Sequence, residues 1–465
     1  MKTPFVGVLL MAVASHASAI CYVNSNAASD GSGASWSSPF HSLETALKDP
    51  ACNEIHVAEG VYTPEPHEVY AGGNHYHLGS FDVPSATKLI GGFKGGGPNP
   101  DARDPLTYLA ILSGDLDRDD ANSSTTNIDW STGDIRGTNS IHVITLNGDD
   151  TPIDGSTVID GFIITGGWGR WETDRPYDYS WDEGGGVFCS AKKTGAQCNP
   201  QLANIWFLGN FASDGGAIAN VATDGAQSSP RISNCRFHGN VAQHYGGAIV
   251  NDASGGTTSP NIENSTFDSN SSEVGGAILN AAGGGQAVLF VRNSTFANNT
   301  VHGDSAAGAV LYNAPGHDGT AAAFLDNVTA ASNSNQGTSA FENDGTFGFS
   351  TISATNSILW DSESGTEVVE TNADSSEFDH SIIRDGCPAS ANWCSTVFAE
   401  DPRLGLLSFN GGNLPNVLPA ASSVAIDNGS DRALDCPGTD ERGVTRLQGA
   451  HCDIGAVERR ATDRD

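Results

Sequence analysis

Three times in this chain a residue with usable chemistry stands directly before a pair of glycines: Glu183 before Gly184-Gly185, Asp214 before Gly215-Gly216 and Tyr245 before Gly246-Gly247, with His244 one place earlier. Two carboxylates held about 5 Å apart either share a cation or raise one of their pKa values. An acid–carboxylate pair of that kind can hydrolyse a glycosidic bond, whereas an imidazole base with a phenol acid suits proton abstraction and elimination. The stretch leading into Glu183, WGRWETDRPYDYSWDE, carries Trp168, Trp171, Tyr177 and Trp181, whose flat faces can stack on sugar rings, and Arg170 and Arg175, which can hold carboxylates. Upstream, Asp115, Asp117 and Asp119 alternate, with Asp120 and Asn122 close behind, and closely spaced carboxylates are what a hard cation such as Ca2+ requires. The loop is not an EF-hand, because Asp120 stands where that loop needs glycine. Each feature has a plain alternative: stacked acidic surface, a His-Tyr pair ornamenting a turn, an aromatic loop folded over the core, a solvated acidic loop.

The elements that would position these residues repeat. N-x-x-F-x-x-N followed by a Gly-rich G-G-A-hydrophobic element recurs, placing Phe207, Phe237, Phe267 and Phe296 at a nearly constant spacing. The asparagines Asn204, Asn234, Asn264 and Asn293, and Asn210, Asn240, Asn270 and Asn299, keep step. Such a period means a repeat architecture, and short β-prone pieces broken by Gly, Asn and Ser exclude helical repeats. A β-solenoid is predicted, with like residues stacked on like: phenylalanine as an internal column and asparagine as ladders at turns. Aligning the glycine pairs puts Glu183, Asp214, Tyr245, Val274 and Ala306 in one outward column, preceded by Asp182, Ser213, His244 and Glu273. Neighbouring strand residues point to opposite faces, so His244 and Tyr245 reach solvent together only if their segment turns.

The alternation of F-x-x-N with G-G-A-[ILV] resembles the repeat of polymorphic outer-membrane-type proteins, right-handed parallel β-helices related in fold to pectate lyases. The beginning, with its YV strand, DGSG-x-SW loop, P-F-x-S-L helix and A-x-G-x-Y turn, resembles the start of many secreted bacterial β-helix proteins. The end resembles the terminal module of the "choice-of-anchor Q" group: Asp401, Gly411, Gly412, Ala425, Ile426, Asp427, Asp440, Arg442, Gly443, Arg446, Asp453, Ile454, Gly455 and Glu458 fill its pattern. Members often continue into an anchoring tail; this chain runs only a few residues past Glu458, so free secretion is expected over surface attachment. The group implies no single activity. The pectate-lyase-like fold implies degradation of an extracellular polysaccharide, with β-elimination on a uronic-acid polymer as the specific expectation: Arg170, Arg175 or calcium would neutralise the sugar carboxylate, His244 would act as base and Tyr245 as acid. Hydrolysis of a neutral glycan by Glu183 and Asp214, and a non-catalytic adhesin or surface-binding β-helix, remain as alternatives.

With 55 Asp plus Glu against 22 Lys plus Arg and a net charge of −33, nucleic acid and anionic membranes are excluded as partners. Lys2, the apolar run from Phe5 to Ala14 and Ala17-Ser18-Ala19 read as an export signal, and no other stretch is long and apolar enough to span a membrane. In an exported chain, nine cysteines suggest disulfides, and proximity pairs Cys21 with Cys52, Cys189 with Cys198, Cys387 with Cys394 and Cys436 with Cys452, leaving Cys235 as a small buried residue. Cys189 and Cys198 would staple the base of the aromatic insertion. The plan is a signal over 1–19, an N-terminal cap over 20–53 with a short helix, a single right-handed parallel β-helix over 54–400 interrupted by an inserted loop at 168–198, a C-terminal closing module over 401–458 and a tail over 459–465. A monomer is expected.

Overall fold

The computed structural model describes residues 19–464 apart from 72–73, 123–125, 170–181, 334–338, 362–364 and 433–434, and only the backbone course over 67–78. The export signal, up to residue 18, therefore lies outside the described residues, and Ala19 begins the first strand, Ala19–Val23. The chain forms a parallel β-helix. Among the described residues its short strands fall into three parallel sheets, two running most of the length of the coil and a third confined to the middle coils, from Trp168–Gly169 to Thr300–Val301, with one separate antiparallel hairpin, His67–Ala71 against Asn74–Leu78. One coil shows the plan. Gln201–Ala203, Trp206–Leu208, Phe211–Asp214 and Ile218–Ala222 pair with Arg231–Ser233, Arg236–His238, Val241–Tyr245 and Ile249–Asp252 of the next.

Stacking of like on like builds the interior. The rings of Phe207, Phe237, Phe267 and Phe296 lie 4.8, 4.4 and 4.6 Å apart, nearly coplanar in orientation and fully buried. The two asparagine columns do different things. Asn204, Asn234, Asn264 and Asn293 take left-handed backbone (φ 53°, 53°, 50° and 46°), which asparagine tolerates at turns. Asn210, Asn240, Asn270 and Asn299 are buried, each donating its amide to the next at 2.8–3.0 Å, and the ladder ends on Asn333 and Asp361. A third ladder, Asn220, Asn251, Asn280, Asn313 and Asn343, closes the other side of each coil. The amide N–H groups of the ladders are thus satisfied by the neighbouring coil, which avoids the 1–3 kcal/mol cost, roughly, of a buried unpaired donor.

The glycine pairs make the sharpest turn. Gly215 sits at φ +64°, and a Cβ on Gly216 would fall 2.4 Å from the carbonyl oxygen of Gly247 on the next coil. The residue before the pair is therefore the last one free to carry a side chain outward.

At the N-terminus, helix Leu43–Lys48 starts where the Ser42 side chain accepts from the Thr45 N–H, and it buries Leu43, Ala46 and Leu47 over the first coil. At the other end, residues 401–464 run along the outer face of the helix instead of across its end. The Thr266 hydroxyl donates to the carbonyl of Pro415 and lies 3.0 Å from a carboxyl oxygen of Glu441, Asn293 donates to the carbonyl of Thr439, and Ala456 donates its N–H to Thr329. The motif residues of this module are structural: Arg442 is paired with Asp440 at 3.0 Å, and Glu458 accepts the N–H of Asp453 and pairs with Arg446. The last coil is covered by strand Trp393–Phe398, tied down by Cys387–Cys394.

All four expected disulfides are present, and Cys235 is free and buried, its thiol pushed up to about 12 by burial. Cys189–Cys198 does not staple the aromatic insertion. Both residues face the interior, one in Val187–Ala191 and the other in Gln197–Cys198, so the bond closes the turn between those strands. Four disulfides suggest an extracellular protein. Among the described residues no helix is long and apolar enough to cross a membrane.

Candidate functional site

The outward column exists. Glu183 pairs in parallel register with Asp214, Asp214 with Tyr245, Tyr245 with Val274 and Val274 with Ala307. The last member is Ala307 where the repeat alignment gave Ala306. Gly308, at φ +61°, must take the first glycine place, and this moves the register by one.

His244 and Tyr245 both reach the surface because their coil carries one extra residue. Ala242 pairs with Ala212 and Tyr245 with Asp214, so Gln243 and His244 lie opposite Ser213 alone. This two-against-one arrangement is a bulge, and it frees adjacent side chains from strict alternation. Tyr245 is 45% exposed, His244 is half-buried, and their rings lie 6.1 Å apart.

Behind the column lies an apolar floor on the outer face of the adjoining sheet, made by Phe188, Ala219, Val250 and Leu279. It explains the electrostatics. Burial against it, reinforced by Asp214 and Asp252, pushes the Glu183 carboxyl up to about 8, with Lys192 opposing. Burial likewise pushes Asp214 up to about 7, opposed by the N–H of Tyr245, which donates to it at 3.2 Å. Asp252 is raised by burial too, while Ser254 donates to it at 2.6 Å. The Lys192 ammonium lies 5.5 Å from the centre of the Phe188 ring. His142 stacks on the same Phe188 ring at 4.8 Å and hydrogen-bonds the Gly184 carbonyl, fixing the turn that carries Glu183.

Asp252 and Lys192 were not singled out by the sequence reading. The signal for Asp252 was present: it breaks a column whose neighbours are Val221 and Ala281, the same irregularity that marked Asp214 and Tyr245. Lys192 follows the strand outside any repeat, and only folding brings it near Glu183.

Trp168 is half-buried and stacks on Phe211 at 4.4 Å, its register partner on the next coil, so one face is already used. Arg170, Trp171, Arg175, Tyr177 and Trp181 lie outside the described residues.

The acidic loop forms a second cluster, with a different membership from the alternating triad. One oxygen from each of Asp115, Asp119 and Asp120 lies within 4.8 Å of the others. Asp117 instead accepts the N–H of Thr138 at 3.1 Å. Asp120 also accepts from the Asn139 amide at 2.9 Å and from the N–H of Arg136. Asp129 packs beside it, and burial together with Asp120 pushes its carboxyl up to about 8. The Oδ1 atoms of Asp129 and Asn139 are buried without a hydrogen-bond partner. An acidic cluster so arranged could hold a metal ion.

No family model matches the chain, and no curated protein matches it. Among solved structures, a crystal structure of pectate lyase Pel9A aligns over 95% of this chain and 96% of its own, at 12% identity and a TM-score of 0.37. Likeness at that level adds nothing to the parallel β-helix already described, and no residue correspondence is drawn from it.

Proposed function

We propose that this is a secreted carbohydrate-active β-helix protein that hydrolyses glycosidic bonds of an extracellular, largely neutral polysaccharide, with Glu183 as general acid and Asp214 as base or nucleophile. The observation that carries this reading is the register pairing of Glu183 with Asp214 on successive coils, with both carboxyls raised and Glu183 raised further. At neutral pH Glu183 is mostly protonated while Asp214 is about half ionised, so the pair carries the division of labour that hydrolysis needs. Glu183 gives its proton to the leaving oxygen as the carbon–oxygen bond breaks. In a direct displacement Asp214 takes the proton of the attacking water; in the covalent route Asp214 attacks the sugar carbon, and Glu183, now ionised, takes the proton of the water that then releases Asp214. A uronate polymer would meet the carboxylates of Asp182, Asp214 and Asp252 here, and like charges disfavour it.

One observation keeps elimination as a second reading: the bulge that exposes His244 and Tyr245 side by side next to Asp214. Incubation of the purified protein with a panel of neutral and uronic polysaccharides separates the readings. New reducing ends without ultraviolet absorbance mean hydrolysis, absorbance from an unsaturated end means elimination, and neither means a binding protein.

The acidic loop is proposed as a Ca2+ site made by Asp115, Asp119 and Asp120, with Asp129 and Asn139 completing it. Its fit rests on the two buried oxygens that lack partners, since a cation with oxygen ligands would satisfy both. The role is structural: Asp129 and the Thr165 hydroxyl exchange hydrogen bonds, and Asn139 donates to the Gly166 carbonyl two residues before Trp168.

A further inference from the structure

A second cleft lies on a different sheet from the carboxylate column, between the helix and the C-terminal module. It encloses about 420 Å³. Its floor is Ile163 and Trp206, one wall comes from Leu106 and Trp130, and the other from Phe409 and Leu414. Trp130 is 39% and Phe409 60% exposed, so two aromatic faces stand open.

These walls are fixed in advance. Trp130 and Trp206 meet edge to face at 6.5 Å, and the Arg236 guanidinium sits 5.9 and 5.5 Å from their ring centres. Arg236 is itself held by both oxygens of Asp268 at 3.0 Å. The opposite wall is pinned one residue past Leu414, where the carbonyl of Pro415 accepts from Thr266 at 2.7 Å. Aromatic side chains aligned this firmly lose little entropy when a ligand stacks on them.

The polar part of the lining selects the ligand. Asn204, Asn234 and Asn413 offer amides at the rim. The cation in the lining, Arg103, is already paired with Asp160 at 2.7 Å, and Asp104 opposes it. With no uncompensated positive charge in this lining, in a chain of net charge −33, an anionic ligand finds nothing to neutralise it. A pyranose ring presents an apolar C–H face with a rim of hydroxyls, which matches aromatic walls edged by amides. We infer that the cleft between Trp130 and Phe409 is a binding site for a neutral oligosaccharide, separate from the carboxylate column. The inference stands on this lining and does not require turnover at Glu183.

Titration of intrinsic tryptophan fluorescence with cellotetraose, xylotetraose, mannotetraose and a galacturonate tetramer tests it. Expected are saturable quenching by at least one neutral tetraose and none by the galacturonate. Trp130→Ala and Phe409→Ala, from opposite walls, should each weaken binding about tenfold, and Trp130→Phe should recover part of it. Glu183→Gln protein should bind as well as the parent, so loss of hydrolysis at one site and loss of binding at the other are read separately. No binding by any neutral sugar, binding unaffected in both wall variants, or preference for the galacturonate would overturn the inference. Phe409→Ala, at an exposed position, keeps the test decisive even if Trp130→Ala unfolds.

Discussion

The backbone N–H of Tyr245 donates to the carboxylate of Asp214 across one coil at 3.2 Å, and among the described residues no corresponding bond supports Glu183. This donor opposes the burial that both carboxyls share, while the charge of Asp214 raises Glu183, and together they set Asp214 below Glu183. Substrate chemistry would use that difference, because a pair of identical acids has no preferred donor.

On a hydrolysed substrate, kcat/KM should follow a bell with apparent limbs near 7 and 8, belonging to the pair as a unit. Glu183→Gln and Asp214→Asn should each lower kcat by about 100-fold or more. Activity retained in both variants, measured by reducing-end release, would move the site elsewhere on the helix. In the elimination reading, Tyr245→Phe and His244→Ala carry the loss instead.

Stability should respond to the same groups. Glu183 and Asp214 have folded-state pKa values above their ordinary ones, so the unfolded chain loses these protons first as pH rises. Their contribution is neutral below about pH 4, and it destabilises progressively up to about pH 8. Glu183→Gln should therefore be more stable than the parent at pH 9, by roughly 1–3 kcal/mol, and equal to it at pH 4. Denaturant melts at the two pH values check this, and an equal difference at both would refute it.

Removing calcium with a chelator should lower the melting temperature, and titrating it back should raise it progressively. An ion at about 100 times its Kd adds about 2.7 kcal/mol. Asp120→Asn and Asp115→Asn should abolish the response, whereas Asp117→Asn should keep it, since Asp117 is engaged with Thr138. A flat titration in the parent protein leaves the loop as solvated surface.

The internal columns should be the most sensitive positions. Phe237→Ala removes a ring stacked on both sides and should cost about 3–5 kcal/mol. Asn240→Ala leaves the Asn210 amide and N–H without their acceptor. Val274→Thr, in the outward column, should cost less than either variant. Chemical denaturation ranks the three.

The parallel β-helix, its phenylalanine and asparagine columns, the capping helix and the cysteine pairs were legible in the sequence because a solenoid repeats its contacts. Each residue's neighbour is the equivalent residue one period away, so spacing alone reveals it. The Glu183–Asp214–Tyr245 column was legible for the same reason, as a set of departures from the repeat. What tertiary structure alone decided lies where the period fails. Lys192 and Asp252 reach Glu183 through the outer apolar floor; Asp120 replaces Asp117 because the loop turns back onto Arg136 and Asn139; and the C-terminal module docks along the side, where Glu441 meets Thr266 and Thr295. Those contacts join segments far apart in the chain with no shared pattern. Their partners are chosen by shape, charge and the need to satisfy buried polar groups, none of which is visible in spacing.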